Sequence, residues 1–247
     1  MSEPGTVLRV ETMDGVVELE PSSTAVLVVD MQNDFGAPQG MFGRANIDIS
    51  GIQAAVAPTA GVLEAARRVG LRVVYLKMAF KDDLSDAGPP ESMNWRVHDR
   101  LRAGELIEAP DGRVSRILVR DTWNTDILPE LAPRPDDPVV YKHRYSGFFE
   151  TDLDELLKRL HIRSLVFTGC TTSVCVESTF RDAMFRDYRC LLLSDCTAEP
   201  IGMSNHESSL TLMQMMFGRV ADSRGFISAA DRLSTGATSE LPRAIAR

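Results

Sequence analysis

The sequence predicts a three-layer α/β fold in which a mainly parallel, six-stranded sheet lies between two layers of helices. Short apolar runs alternate with amphipathic helical patterns five or six times along the 247 residues. This alternation is typical of parallel strands joined by crossover helices. No linker separates two complete patterns, so we expect one large domain rather than two small ones.

The apolar runs give the strands, and helical spacing gives the connections between them. The predicted strands cover residues 24–30, 72–78, 137–142, 164–169, 189–195 and 219–222. The predicted helices cover residues 56–69, 151–160, 173–187 and 205–217, with a short helical piece at 126–131. The helix at 205–217 carries Met213, Met215 and Met216, which are more typical of core and subunit contacts than of a cofactor site.

We expect an N-terminal extension over residues 1–20, one domain over 21–230 and a C-terminal tail over 231–247. Residues 80–121 are rich in Gly and Pro and predict an irregular excursion with at most a short helix near 95–101. Excursions of this length inside compact domains are usually lids or binding loops.

The net charge limits which classes of binding partner are expected. Lys and Arg number 27 and Asp and Glu number 35, so the net charge is −8, which argues against a nucleic acid or an anionic membrane as partner. The N-terminal residues carry no apolar signal segment, and no apolar run of 18 residues occurs. The four cysteines form no C-x-x-C pair. We therefore expect a reduced, cytoplasmic protein without a disulfide framework.

Reactive side chains follow three of the predicted strands. Asp30 ends the first strand, Lys142 ends the third, and Cys175 lies shortly after the fourth. Each residue alone has an ordinary structural explanation, as a helix cap, a solvated cation or a packed thiol. Because sites in open parallel sheets form at the carboxyl ends of the strands, the three together predict a nucleophilic site, in which a carboxylate takes the proton of a thiol.

Three segments carry a resemblance to a known family: AVLVVDMQNDF at 25–35, YKHRYSGFFETDLDELL at 141–157 and VFTGCTTSVCVESTFRDAMFRDY at 166–188. In this order they resemble the signature blocks of the isochorismatase-like cysteine hydrolase superfamily, over about residues 20 to 225. The resemblance implies a catalytic triad of Asp30, Lys142 and Cys175 and the strand order 3-2-1-4-5-6. It also implies a cis peptide between Cys170 and Thr171, and an oxyanion hole formed by the N–H groups of Thr171 and Cys175.

Departures from other branches refine the resemblance. The nicotinamidase metal ligands, an Asp-x-His pair and a further His, are missing from KMAFKDDLSDAGPPE after the second strand, so we expect neither a metal nor another cofactor. The scattered histidines are expected at the surface or outside direct contact with a ligand: His98, His143, His161 and His206. Cys175 argues against isochorismatases proper, which lack this nucleophile.

The RYSGFF stretch is most similar to the ureidoacrylate amidohydrolase and biuret hydrolase branch. This similarity implies substrate contacts from Asn94 and Tyr145, with Trp123, Ser92 and Phe35 as further candidates. The Gln214 amide has both the donor and the acceptor that a urea group needs. A position at a contact between subunits would explain a polar residue there equally well. Arg144, Lys77 and Arg120 remain alternative partners for a substrate carboxylate.

The sequence thus predicts a metal-independent cysteine amidohydrolase that cleaves a C–N bond of a small ureido or carbamoyl compound. A thioester intermediate would release ammonia or an amine. The alternatives are a hydrolase of another small amide, such as a nicotinamide-like one, and a catalytically inactive assembly subunit. A nucleotide-binding module is disfavoured because DMQNDFGAPQG after the first strand lacks G-x-G-x-x-G. The resemblance also implies a homo-oligomer, either a dimer or a tetramer.

Overall fold

A computed structural model describes residues 7–236. Residues 1–6 of the predicted N-terminal extension and residues 237–247 of the predicted C-terminal tail therefore lie outside the described residues. The strands are β1 Leu8–Thr12, β2 Gly15–Leu19, β3 Thr24–Val29, β4 Arg72–Met78, β5 Leu106–Glu108, β6 Val114–Arg116, β7 Val139–Lys142, β8 Ser164–Cys170, β9 Arg189–Ala198 and β10 Arg219–Ala221. The α-helices are α1 Asn33–Gly36, α2 Met41–Arg44, α3 Ser50–Arg68, α4 Met93–Arg100, α5 Leu153–Arg159, α6 Glu177–Met184, α7 Met203–Leu212 and α8 Ser223–Thr235.

Short helical turns of other types complete the chain. The 3-10 turns are Pro21–Ser23, Trp123–Thr125 and Pro129–Leu131, and single π-helical turns cover Thr172–Val176 and Met213–Phe217.

The central sheet contains six strands in the order β7-β4-β3-β8-β9-β10, and every neighbouring pair is parallel. Numbered along the chain within this sheet, the order is 3-2-1-4-5-6, which confirms the predicted fold. Every residue of the central strand β3 is buried, as expected for a parallel strand covered on both faces.

The side chains of β3 divide the core between the two faces of the sheet. Val26 and Val28 belong to the cluster that packs against α3 and α8, and Leu27 belongs to the cluster that packs against α5 and α6. Because successive strand residues point to opposite faces, this alternation places one layer of helices on each side. The three-layer architecture follows from this arrangement.

Several elements differ from the predictions. Residues 8–19 form the antiparallel hairpin β1–β2, whose Leu8 and Leu19 are buried in the core. The excursion at 80–121 contains the hairpin β5–β6 as well as the predicted short helix. A final helix, α8, occupies residues where only a strand end and a tail were expected, and the Asp222 side chain caps it by accepting a hydrogen bond from Gly225 N.

The bounds of some predicted helices also change. The first long helix starts at Ser50 rather than at residue 56 and continues through Pro58. The helices predicted at 173–187 and 205–217 each contain one π-helical turn. Within residues 7–236, no helix combines the length and the apolar character needed to cross a membrane.

Candidate active site

Asp30 and Lys142 form a buried ion pair at the carboxyl edge of the sheet. Asp30 follows β3, whereas Lys142 ends β7, one strand further along the sheet beyond β4. The Lys142 Nζ atom lies 2.7 Å from Asp30 Oδ2, and the two side chains are 0% and 1% exposed. Lys142 Nζ also donates to Arg144 O at 3.2 Å. The ammonium group is therefore held by the carboxylate and by the loop that follows its own strand.

The Asp30 carboxylate is fixed by the end of β4. Asp30 adopts the left-handed backbone conformation with φ 51°, which Asp tolerates better than most residues. Its N–H donates to Leu76 O at 3.0 Å, and its Oδ1 accepts from Met78 N at 2.9 Å. The Gln32 side-chain amide binds both backbone groups of Met78, because its Nε2 donates to Met78 O and its Oε1 accepts from Met78 N. These bonds tie the end of β3 to the end of β4.

Cys175 lies in the π-helical turn that follows β8. Its thiol lies beside Asp30 and Lys142, since after burial these two groups have the largest influence on the pKa of the thiol, so the chain brings the three predicted triad residues together. Thr179 anchors this turn, since its Oγ1 donates to Cys175 O at 2.7 Å and accepts from Gly147 N at 3.0 Å. The helix that carries the thiol is thereby attached to the loop after Lys142.

The peptide bond between Cys170 and Thr171 is cis, as the resemblance implies. Just before it, Gly169 has a φ of 118°, and a Cβ atom there would lie 2.0 Å from Val29 O. Glycine is therefore required where β8 approaches β3 beside Asp30.

Several N–H groups of the Cys175 turn are already engaged. Ser173 N donates to Glu199 Oε2 at 2.9 Å, and Val174 N and Val176 N donate to Thr171 O at 3.2 and 3.1 Å. The oxyanion hole assigned to Thr171 and Cys175 uses none of these three groups, and it stays a prediction.

Burial controls the protonation of the triad. Desolvation raises the pKa of Asp30, although the neighbouring Lys142 opposes this shift. Desolvation disfavours the Lys142 ammonium, but the neighbouring Asp30 and Cys175 together outweigh it and the pKa of Lys142 rises. Burial raises the pKa of Cys175 to about 12. The resting thiol is therefore protonated at neutral pH, and it can only act as a nucleophile if a base in contact with it takes its proton.

Three of the predicted substrate contacts lie on different elements. Tyr145 lies close to the triad, whereas Phe35 lies on α1 and Asn94 lies on α4. Tyr145 is half-buried, and burial raises its pKa, with a further increase from the charge of Cys175. Phe35 is buried on α1 and packs edge-on against Phe42 at 5.0 Å. Asn94 lies on α4, where its Nδ2 donates to Ala87 O at 2.8 Å.

The remaining contact candidates are tied to other parts of the chain. The Ser92 side chain caps α4 by accepting from Trp95 N at 3.1 Å. Trp123 is half-buried, and its carbonyl accepts from Asn33 Nδ2 at 2.8 Å. Gln214 Nε2 donates to Asp14 Oδ2 in the turn between β1 and β2 at 3.1 Å. Within residues 7–236, Gln214 makes no hydrogen bond to Asp30, Lys142 or Cys175, so its role in substrate binding stays a prediction.

The three candidate cations differ in their partners. Arg120 pairs with Asp86 at 3.0 Å, and Lys77 lies 3.9 Å from Asp126. The Arg144 guanidinium instead donates at 2.7 Å to two backbone carbonyls, those of Asp86 and His143. Among the described residues, Arg144 has no carboxylate partner, so its charge is the least compensated of the three.

Two buried polar residues were missed by sequence reasoning. His98 was expected at the surface or outside direct contact with a ligand, but it is 4% exposed and packs against Tyr145 at 6.0 Å. Its spacing of four residues from Asn94, which puts both on one helix face, is the signal that could have identified it. Asp34 is 0% exposed and accepts three hydrogen bonds from the α1–α2 junction and the excursion. No sequence signal identified these donors.

In residues 7–236, no group of three or more His, Cys, Asp or Glu side chains is arranged to hold a metal ion.

Comparison with known proteins adds independent information. Residues 24–225 match the isochorismatase domain. The chain is 37% identical over 210 residues to the ureidoacrylate amidohydrolase RutB of Caulobacter segnis, covering 85% of this chain and 87% of that protein. It is 38% identical over 210 residues to the ureidoacrylate amidohydrolase RutB of Agrobacterium fabrum, covering 85% and 91%.

Two solved structures have similar folds. A cysteine hydrolase from Pseudomonas syringae pv. phaseolicola superposes with a TM-score of 0.72 at 30% identity, covering 94% of this chain and all of that chain. N-carbamoylsarcosine amidase from Thermoplasma acidophilum superposes with a TM-score of 0.60 at 27% identity, covering 81% and 96%.

Proposed function

The chain belongs to the isochorismatase domain family, and on this premise we propose that it is an amidohydrolase that cleaves a C–N bond of a small, ureidoacrylate-like compound. The observation that carries the proposal is the buried Asp30–Lys142 ion pair in contact with the Cys175 thiol. The names of the relatives support the substrate class, since both are ureidoacrylate amidohydrolases.

In the proposed mechanism, Asp30 takes the thiol proton as Cys175 Sγ attacks the ureido carbonyl carbon. The N–H groups of Thr171 and Cys175 stabilise the oxyanion of the tetrahedral intermediate. Asp30 then gives its proton to the leaving nitrogen, the C–N bond breaks and ammonia or an amine departs, leaving a thioester-type carbamoyl group on Sγ.

Water completes the cycle. Asp30 accepts a proton from a water molecule as its oxygen attacks the carbamoyl carbon, and the C–S bond breaks as Sγ recovers a proton. Lys142 keeps Asp30 ionised between the two steps, because a buried carboxylate beside an ammonium favours the charged form. No metal ion is needed in this scheme.

We assign the substrate contacts to Asn94, Tyr145, Phe35, Trp123 and Gln214. For a carboxylate-bearing substrate, Arg144 is the favoured counter-ion, because its guanidinium lies over the Phe149 ring and donates its hydrogen bonds to backbone carbonyls rather than to a carboxylate. A carboxylate would be the first anionic partner of this group among the described residues, and such charge-assisted bonds are among the stronger ones in proteins.

The test is a substrate panel of 3-ureidoacrylate, biuret, an N-carbamoyl amino acid and nicotinamide, followed by ammonia release and substrate loss with and without a chelator. We expect turnover of 3-ureidoacrylate that the chelator leaves unchanged. Turnover of nicotinamide alone would refute the ureido assignment.

Cys175→Ala is expected to abolish turnover with the fold intact, because it removes the thiol that attacks the carbonyl carbon in the proposed mechanism. The matched control is Cys190→Ala, at another buried thiol, which donates to Tyr188 O just before β9. This control should remain active. Mass spectrometry of acid-quenched wild-type enzyme should show the carbamoyl adduct on Cys175. Retained activity in Cys175→Ala would overturn the mechanism and favour another nucleophile.

We also propose that the chain forms a homo-oligomer. Met215 and Met216 are 71% and 66% exposed, whereas Met213 is buried. Exposed apolar side chains close together often mark a subunit contact. Light scattering of the purified protein distinguishes a dimer or tetramer from a monomer.

A further inference from the structure

His98 is a buried histidine on the lid helix α4. Its ring meets Phe80 edge-on at 5.2 Å and Tyr145 at 6.0 Å, and the residue is 4% exposed. The charge of Lys142 acts on His98, just as it acts on Tyr145. These contacts place the ring beside the triad rather than at the surface.

The hydrogen bonding of the ring fixes its tautomer. His98 Nδ1 lies 2.7 Å from Asn94 O, and a carbonyl oxygen only accepts, so Nδ1 carries the proton. Burial, together with the nearby charges of Lys142 and Arg144, lowers the pKa of His98 to about 4, although the hydrogen bond to Asn94 O opposes the shift. The ring is therefore neutral at physiological pH, and Nε2 presents a lone pair. No donor within residues 7–236 reaches Nε2.

Asn94 repeats this arrangement one helical turn earlier. Its Nδ2 is committed to Ala87 O at 2.8 Å, which leaves Oδ1 to accept. That oxygen is buried and has no hydrogen-bond partner among the described residues. Residues four apart lie on the same face of a helix, so α4 presents two unpartnered acceptors side by side. Leaving a buried acceptor unpaired is unfavourable unless something else donates to it.

A ureido group supplies the missing donors. Its carbonyl oxygen needs donors, which the N–H groups of Thr171 and Cys175 provide in the proposed mechanism. Its N–H groups need acceptors, and the donors already present cannot serve them. We propose that a ureido N–H of the substrate donates to His98 Nε2, with Asn94 Oδ1 as the second acceptor. His98 is then a substrate-binding residue that favours a carbamoyl group over an acyl group. This inference rests on the proposed function.

The experiment compares 3-ureidoacrylate with 3-acetamidoacrylate, in which a methyl group replaces the terminal NH₂. Both are cleaved at the same C–N bond, and the difference in their intrinsic reactivity is the same for every variant, so the change in the ratio of their kcat/KM values between variants reports the NH₂ contacts. We expect wild-type enzyme to prefer the ureido compound, and His98→Phe to reduce that preference about tenfold to a hundredfold, as the loss of one hydrogen bond at a buried site predicts. His98→Gln keeps an acceptor and should restore part of the preference.

Binding gives a readout that does not depend on turnover. In Cys175→Ala, calorimetry measures the Kd values of both compounds, and adding His98→Phe should shrink their ratio by the same factor. His161→Phe, at an exposed histidine, is the matched control and should leave both ratios unchanged. A His98→Phe enzyme that melts normally and keeps the wild-type ratio overturns the inference while the proposed function stands. Failure of wild-type enzyme to cleave either compound overturns the proposed function, and the inference falls with it.

Discussion

Asp30 and Asp34 are two buried carboxylates four positions apart in the chain, in opposite electrostatic surroundings. Both are 0% exposed. Asp30 has a cation 2.7 Å away, namely Lys142. Asp34 has only neutral donors: Met41 N at 2.9 Å, Leu118 N at 2.7 Å and Asn124 Nδ2 at 2.5 Å. The same side chain therefore meets a fixed charge in one region and dipoles in the other.

The difference separates two uses of a buried carboxylate. Burial raises the pKa of Asp30, but the neighbouring ammonium opposes the rise and favours the ionised carboxylate that a proton acceptor needs. Without a cation, burial raises the pKa of Asp34 to about 7, although its three donors oppose the shift. Asp34 joins the start of α2 to residue 118 in the excursion and to residue 124 just after it. We propose that the first region carries the chemistry, whereas the second connects α2 to the excursion.

The largest effect should come from removing the cation. Lys142→Met leaves Asp30 buried without a counter-charge, so its pKa rises and it no longer serves as a base at neutral pH. We expect kcat/KM to fall about a thousandfold, within the range of general-base losses. The free energy of unfolding should drop by about 3–5 kcal/mol, as when one partner of a buried ion pair is lost. Steady-state kinetics and urea unfolding measure the two effects.

The double variant Asp30→Asn/Lys142→Met separates chemistry from stability. It removes both charges, so it should regain much of the stability but none of the activity. If Lys142→Met alone keeps near wild-type kcat/KM, Asp30 does not depend on its cation, and the contrast between the two carboxylates fails.

The second prediction concerns the pH dependence of Asp34. Its folded pKa of about 7 lies above the ordinary value of 3.8, so between these values the folded state holds the proton that the unfolded state loses. The associated stability is complete below pH 3.8 and is lost as pH rises towards 7, by up to about 1.4 kcal/mol per pH unit. Asp34→Asn does not titrate, so its stability relative to wild type should improve from pH 5 to 7 and level off above pH 8.

Urea unfolding of both proteins across this pH range measures the difference, in which titrations shared by both proteins cancel. Asp111→Asn, at an exposed carboxylate, is the control for a charge change alone and should show no such trend. A wild-type-minus-variant difference that stays flat from pH 5 to 8 would mean that Asp34 is ionised throughout.

The region of Asp30 was predictable from the sequence, and the region of Asp34 was not. Apolar runs ending in Asp30 and Lys142 gave the strands, and the parallel sheet then brought their carboxyl ends to one edge. The donors of Asp34 lie 7, 84 and 90 residues away in the chain. Leu118 lies in the Gly- and Pro-rich stretch 80–121 and Asn124 lies just after it, where the path of the chain has no periodic signal.

The missed elements have a similar cause. The strands β1 and β2 contain only five residues each, so their alternation was too short to separate from an extension. Helix α8 carries Ser, Thr and Gly in its sequence, all weaker helix formers than Ala, and packing of Phe226 and Ala230 into the core stabilises it. In both cases, burial against the rest of the fold stabilises the element, and the intrinsic propensity of the segment alone does not predict it.

The smallest effect should come from the outer edge of the Asp34 region. Ser115 Oγ donates to Asn124 Oδ1 at 2.5 Å and accepts from Asn124 N at 3.2 Å, which orients the amide that donates to Asp34. Ser115→Ala should lower the free energy of unfolding by about 1–2 kcal/mol, since the residue is 1% exposed and its partner is left unpaired. Its kcat/KM should change less than about threefold, because the Asp30 pair is untouched. Ser208→Ala, at an exposed hydroxyl bonded to Ser204 O, should change stability by no more than about 0.5 kcal/mol.

Unlike Asp34→Asn, Ser115→Ala keeps the titrating carboxylate, so its pH profile of stability should remain parallel to that of wild type. A profile in which the loss of stability extends to higher pH than in wild type would instead show that the Asn124 bond carries most of the opposition to the burial shift of Asp34, and that the neutral-donor region depends on one bond rather than three.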